Sequence, residues 1–150
     1  MRKALVALWS LLISATACGA MVLHVPLSEM VADAQLIVLG KVVDITTVCD
    51  PCDTPNRQAT YQATLGVTET LKGPSTSRVD VFFMRGDPSP EFLIGRTYIV
   101  LLRQWKSAFV VVNGYAGKLD VDGNLVRRIF APGEAADQPL DTVLSRIRSQ

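Results

Sequence analysis

Between residues 36 and 129 the chain is organised almost throughout by a two-residue period, which confines it to a β architecture. The strongest segment, residues 36–48, opens with the unbroken apolar block Leu36, Ile37, Val38, Leu39 and is rich in β-branched residues. Such a block is expected of a strand buried on both faces. Residues 58–72 place Tyr61, Ala63, Leu65, Val67, Glu69 and Leu71 on one parity, the signature of a long half-buried strand in which Gly66 marks a bulge or bend. Val79, Val81 and Phe83 alternate with Asp80, Phe82 and Met84 in a third strand. Residues 97–105 and 108–113 form two more around the short turn at Lys106 and Ser107. Residues 118–121 and 125–129 flank the hairpin signal Asp122-Gly123.

Only the two ends change period. Leu27, Met30, Val31 and Ala34 have helical spacing with Ser28 as the expected N-cap. Leu140, Val143, Leu144 and Ile147 fall at i, i+3, i+4 and i+7, with Asp137 or Asp141 at the start and Arg146 and Arg148 near the negative end. About six antiparallel strands between two helices predict a mainly β fold, a small closed or partly open barrel of the oligonucleotide/oligosaccharide-binding type or a sandwich, with Gly66, Gly95 and Gly114 at corners. No repeat or linker interrupts residues 18–150, so one domain is expected there.

Residues 1–17 have the form of a signal peptide: Arg2 and Lys3, an apolar run from Ala4 to Ile13 broken by Ser10, then Ala15, Thr16 and Ala17. The apolar stretch is shorter than the ~20 residues a spanning helix needs. The mature chain is therefore expected in an extracytoplasmic compartment, periplasmic or secreted. Two cleavage readings stand. A cut after Ala17 leaves Cys18 first, and Ala15-Thr16-Ala17-Cys18 resembles a bacterial lipobox with Ala15 in place of the usual Leu, which would allow a lipid anchor. A cut after Ala20 discards Cys18. Without the leader the chain is close to electroneutral, which supplies no electrostatic footprint for nucleic acid or an anionic membrane.

The sharpest local motif is Cys49-Asp50-Pro51-Cys52, in a loop of residues 49–57 that also holds Asp53 and Pro55. Redox chemistry needs the first cysteine at a helix N-terminus, and a period-2 strand follows instead. Zinc needs about four ligands, and only Cys18 and the lone His24 are left to offer. A Cys49–Cys52 disulfide in an exported loop is the favoured reading. His24 has no companion for general-base work, and Asp33, Asp44, Glu69, Asp80, Asp87 and Glu91 are scattered over different elements as a solvated face. Arg85-Gly86-Asp87 is what turn composition produces anyway. Trp105, Phe109 and Tyr115 would form a stacking platform if they shared one cleft, with core packing as the ordinary alternative. Neither catalysis nor a cofactor or metal is expected.

The order helix, then Ala34-Gln35-Leu36-Ile37-Val38-Leu39-Gly40-Lys41-Val42, then a long strand ending Leu71-Lys72-Gly73 resembles the tissue inhibitor of metalloproteinases and netrin-like modules, in a bacterial exported version. The likeness spans residues 26–129, and it implies an oligonucleotide/oligosaccharide-binding-type barrel. In the animal inhibitors a mature N-terminal cysteine chelates the zinc of the protease through its α-amino group and carbonyl, and Cys18 matches that position after cleavage at Ala17. Here Ala20 stands where those inhibitors have a second cysteine, Gln35 replaces an Asp, and most of the disulfide framework is missing. The resemblance implies a protein-binding module of the cell envelope, inhibitor-like toward a protease. Its docking face would be built from residues 18–26, with Cys18 and Gly19, and from residues 49–57, with Asp50, Pro51 and Asp53. The alternative is a periplasmic barrel for glycans or peptides.

Overall fold

The computed structural model describes residues 25–50, 58–85, 91–127 and 137–150. Its elements are α1 (Leu27–Asp33), β1 (Leu36–Cys49), β2 (Thr60–Lys72), β3 (Arg78–Met84), β4 (Thr97–Trp105), β5 (Ala108–Val111), β6 (Lys118–Asp122), β7 (Leu125–Arg127), β8 (Asp137–Pro139) and α2 (Leu140–Arg148), with one 3-10 turn at Gly114–Gly117. All strands belong to one sheet, in the order β1-β2-β3-β5-β4-β6-β7-β8. An additional β1–β4 pairing closes the first five into a ring. This is the expected small mainly β barrel with a helix at each end, of the oligonucleotide/oligosaccharide-binding type. One pairing departs from the antiparallel expectation: β3 and β5 run parallel, through Val81 with Phe109 and Phe82 with Val110. Strand β5 follows β4 by a tight hairpin, so β5 must run the same way as the β3 strand it meets on closing the ring.

The doubly buried character of β1 divides the core in two. Leu36, Val38 and Val42 point into the ring with Leu65, Val81, Phe83, Val100 and Leu102. Ile37 points outward with Ile99 and Leu101 to meet Met30 and Val31 of α1 and Val143, Leu144 and Ile147 of α2. The apolar block Leu36 to Leu39 is thus needed because a barrel wall and a helix layer share one strand.

Both helices begin at prolines. Pro26 and Pro139 hold the cap positions with extended backbone and no side-chain cap bond, so Ser28 falls inside α1. Asp137 is used in β8, a short strand not foreseen, while Asp141 sits in the first turn of α2. A proline at that position fixes a φ compatible with helix entry but offers no side-chain acceptor to the first-turn N–H groups.

The long β1–β2 hairpin is bent by four register shifts, with Val43, Val48, Thr68 and Leu71 as the extra residues. The expected bulge at Gly66 is therefore displaced onto its neighbours. The close approach constrains Gly40 instead, since a Cβ there would lie 2.9 Å from the Gly66 carbonyl oxygen. The two strands touch backbone to backbone there, which lets the hairpin fold over and take part in both halves of the barrel.

Candidate functional site

The hairpin runs from the Ile37–Lys72 pair, beside α1, to the Cys49–Thr60 pair at its other end. At that second end the barrel mouth is filled by a chain of rings. Tyr61 and Phe83 have centroids 5.6 Å apart, Phe83 and Phe92 5.2 Å, and Phe92 and Tyr98 5.5 Å. A cation stands at each end: the Arg85 guanidinium lies 4.5 Å from the Tyr61 centroid and Lys118 Nζ 4.2 Å from that of Tyr98. Lys118 is also paired with Asp120 at 2.8 Å. Edge-to-face ring contacts and cation–ring contacts each add about 1 kcal/mol beyond area burial, so this end of the barrel is firmly set.

The segment that leads into β4 is pinned to β1. Gly95 N–H donates to the Val42 carbonyl at 2.8 Å, and Val42 N–H donates to the Arg96 carbonyl at 2.9 Å. The Leu93 amide donates to the Tyr98 hydroxyl oxygen at 3.2 Å. Gly95 has φ +83°, which turns the chain sharply after three consecutive apolar residues. As a result Phe92 is driven inward to 2% exposure while Leu93 and Ile94 stand out at 55% and 63%. Burial raises the Tyr98 pKa above its ordinary 10.0, with Asp120 adding to the effect and the Leu93 amide and Arg96 opposing it.

Outside this turn lies a recess of about 340 Å³ lined by Ile45, Thr47, Tyr61, Arg85, Phe92, Leu93 and Ile94. It opens at the base of the β1–β2 loop. Its lining is mostly apolar, and among the described residues Arg85 is its only formal charge. Large exposed apolar side chains held rigidly beside a recess are characteristic of a surface that another molecule covers.

Of the residues singled out in the sequence, Cys49 ends β1 half-buried, and Asp50 follows it exposed in a bend. Cys18, Gly19, His24, Pro51, Cys52 and Asp53 lie outside the described residues. The two segments expected to share a docking face can therefore be located only by their flanks. Val25 packs against the helix-side core, whereas Cys49 lies at the end of the hairpin remote from α1. The aromatic platform is not assembled. Trp105 pairs with Ala108 and is 59% exposed, while Phe109, on the opposite parity, is half-buried against the barrel core. Tyr115 sits in the 3-10 turn.

The acids within the described residues find structural partners or solvent, and Asp87 lies outside them. Asp80 accepts from the Thr64 hydroxyl at 2.7 Å and Glu69 from Arg148, while Asp33, Asp44 and Glu91 are exposed. Among the described residues no three of His, Cys, Asp and Glu gather at one point.

Arg85 and the run Phe92, Leu93, Ile94 are the site residues that sequence reasoning passed over. The signal was there, since three apolar residues in a proline-flanked loop have no strand of their own to serve. Neither a protein-family model nor a curated protein matches this chain.

Proposed function

We propose that this chain is an exported, envelope-associated protein-binding module that docks its partner at the barrel end carrying the β1–β2 loop. The observation that carries the reading is the pair Leu93 and Ile94, exposed at 55% and 63% on a pinned turn beside the recess. Solvent exposure of two large aliphatic side chains is unfavourable by about 25 cal/mol per Å², and a partner that covers them recovers that free energy. The loop that follows Cys49 starts from this end of the barrel, and a Cys49–Cys52 disulfide would restrict its freedom and so reduce the entropy lost on binding. Export through a leader of residues 1–17, with Cys18 as lipid anchor or free amino terminus, belongs to this proposal. So does the netrin-like resemblance, which makes a protease the class of partner to try first.

A second reading, a barrel for a small glycan or peptide, is favoured by the recess itself, whose volume falls at the lower end of the ~300–1,000 Å³ typical of ligand pockets. Pull-downs from envelope extract separate the readings. Replacing Asp50, Pro51 and Asp53 together, or Leu93 and Ile94 by Ser, abolishes capture of the main partner, whereas Asp122→Asn at the β6–β7 hairpin retains it. Retention of every partner by all three variants would refute the docking reading.

A further inference from the structure

Strand β1 has two edges. One is paired with β2 along its whole length, while the other is paired with β4 only from Leu36 to Lys41. Val42 is the last residue to use that second edge, through Gly95 and Arg96. Among the described residues nothing pairs with it over residues 43–48.

The orientation of the open groups follows from the ladder. Val42 directs both its N–H and its C=O away from β2, and the extra residue Val43 resets the alternation so that Asp44 faces β2. Ile45 and Thr47 then turn their N–H and C=O to the open side. These same two residues contribute side chains to the recess. Hydrogen-bonding groups spaced for a strand and an apolar recess for its side chains therefore belong to the same two positions.

We propose, on the basis of the docking reading above, that the partner enters as an extended peptide segment that adds to β1 alongside Ile45 and Thr47. Its alternate side chains are apolar and fill the recess, and one carboxylate meets Arg85. Main-chain pairing gives such additions their affinity and the alternate pockets give specificity. Charge complementarity selects the carboxylate: among the described residues Arg85 is the only charged one lining the recess, exposed and braced on the Tyr61 ring, with a guanidinium edge suited to a bidentate acid. Residues 43–48 contain neither Lys nor Pro, the usual protections of an exposed edge. Bulges at Val43 and Val48 limit the straight portion to residues 44–47, enough for one short segment and too little for the long pairing of two copies.

A displayed library of random seven-residue peptides, selected on the full exported chain, tests this. Enriched sequences are expected to alternate apolar residues with an Asp or Glu. N-methylation of the peptide amides of one parity is expected to weaken binding at least about tenfold, with the other parity tolerated. Arg85→Ala should cost acid-bearing peptides about tenfold and leave their Gln or Asn versions unaffected, and the Ile45 and Thr47 amides should gain exchange protection in the complex. Absence of enrichment, or indifference to N-methylation, overturns strand addition. A peptide-free dimer in which those two amides are already protected also overturns it, assigning the edge to a second copy. If the Leu93/Ile94 variant loses the envelope partner while no peptide is enriched, docking stands and strand addition falls. If peptides are enriched while that variant keeps every partner, the open edge stands and the docking reading falls.

Discussion

The Lys72 ammonium donates to the carbonyl of Val31 at 2.7 Å, so the last charged residue of β2 closes the C-terminal end of α1. The final turn of a helix leaves carbonyls without partners and carries partial negative charge, and a lysine reaching across from the sheet satisfies both. Lys72→Met is expected to lower stability by about 1 kcal/mol, given the half-exposed setting, seen as a fall of roughly 3 °C in Tm. An unchanged Tm would show that α1 is held by its apolar face alone.

The next residue is constrained more tightly. Gly73 has φ +89°, and a Cβ there would lie 2.6 Å from the Gln35 carbonyl oxygen. Gly123 also has positive φ, +60°, but nothing lies within 4 Å of its Cβ position. Gly73→Ala should therefore cost at least about 2 kcal/mol and Gly123→Ala about 1 kcal/mol in urea unfolding. Equal costs would mean that backbone conformation alone matters at both positions.

Alkaline pH offers a probe of the ring chain at the barrel mouth. Burial raises the Tyr98 pKa above 10.0, so the folded state holds the phenolic proton more tightly than the unfolded one. The associated stability is fully present below about pH 10 and is lost as pH rises through the folded-state value. Tyr98→Phe should be less stable at neutral pH by about 1 kcal/mol, because the Leu93 amide loses its acceptor, and should show a shallower decline above pH 10. Parallel pH profiles for the two proteins would contradict this assignment.

Phe92 and its two neighbours should separate stability from recognition. Phe92→Ala removes a ring packed between Phe83 and Tyr98 and is expected to cost about 3 kcal/mol. Leu93→Ser with Ile94→Ser should leave the unfolding midpoint within about 0.5 kcal/mol of the parent, since both side chains are already in solvent. A large loss of stability in the double variant would recast the turn as a structural clamp.

Much of this architecture is legible in the sequence because barrel strands declare their period. Leu36 to Leu39 announces a strand buried on both sides, and the helical spacing of Leu140, Val143, Leu144 and Ile147 announces α2. The motif on which the family resemblance rests turns out to consist of packing necessities: Gly40 abuts Gly66, Gln35 Oε1 accepts from the Gln104 amide at 2.6 Å, Lys72 closes α1, and Gly73 turns beneath Gln35. Each of these residues thus has a folding role in this chain. The recess was not legible, because it depends on which side of β1 lacks a partner after Val42 and on a turn that drives Phe92 inward and Leu93 outward. Both are properties of ring closure between distant segments: the run Phe92-Leu93-Ile94 marks apolar residues without a strand, but which of them turns outward is decided by the pairing of Gly95 and Arg96 with Val42.

The most direct measurement of the central claim is site-specific photocrosslinking in intact cells, with a benzophenone side chain at position 94 and, as control, at position 122 on the β6–β7 hairpin. Both positions are exposed, so neither replacement disturbs the core. The docking account predicts one discrete protein adduct from position 94, lost when Arg85 is replaced by Ala, and none from position 122. Adducts of equal yield from both positions, or none from position 94 in cells that export the protein, would contradict it.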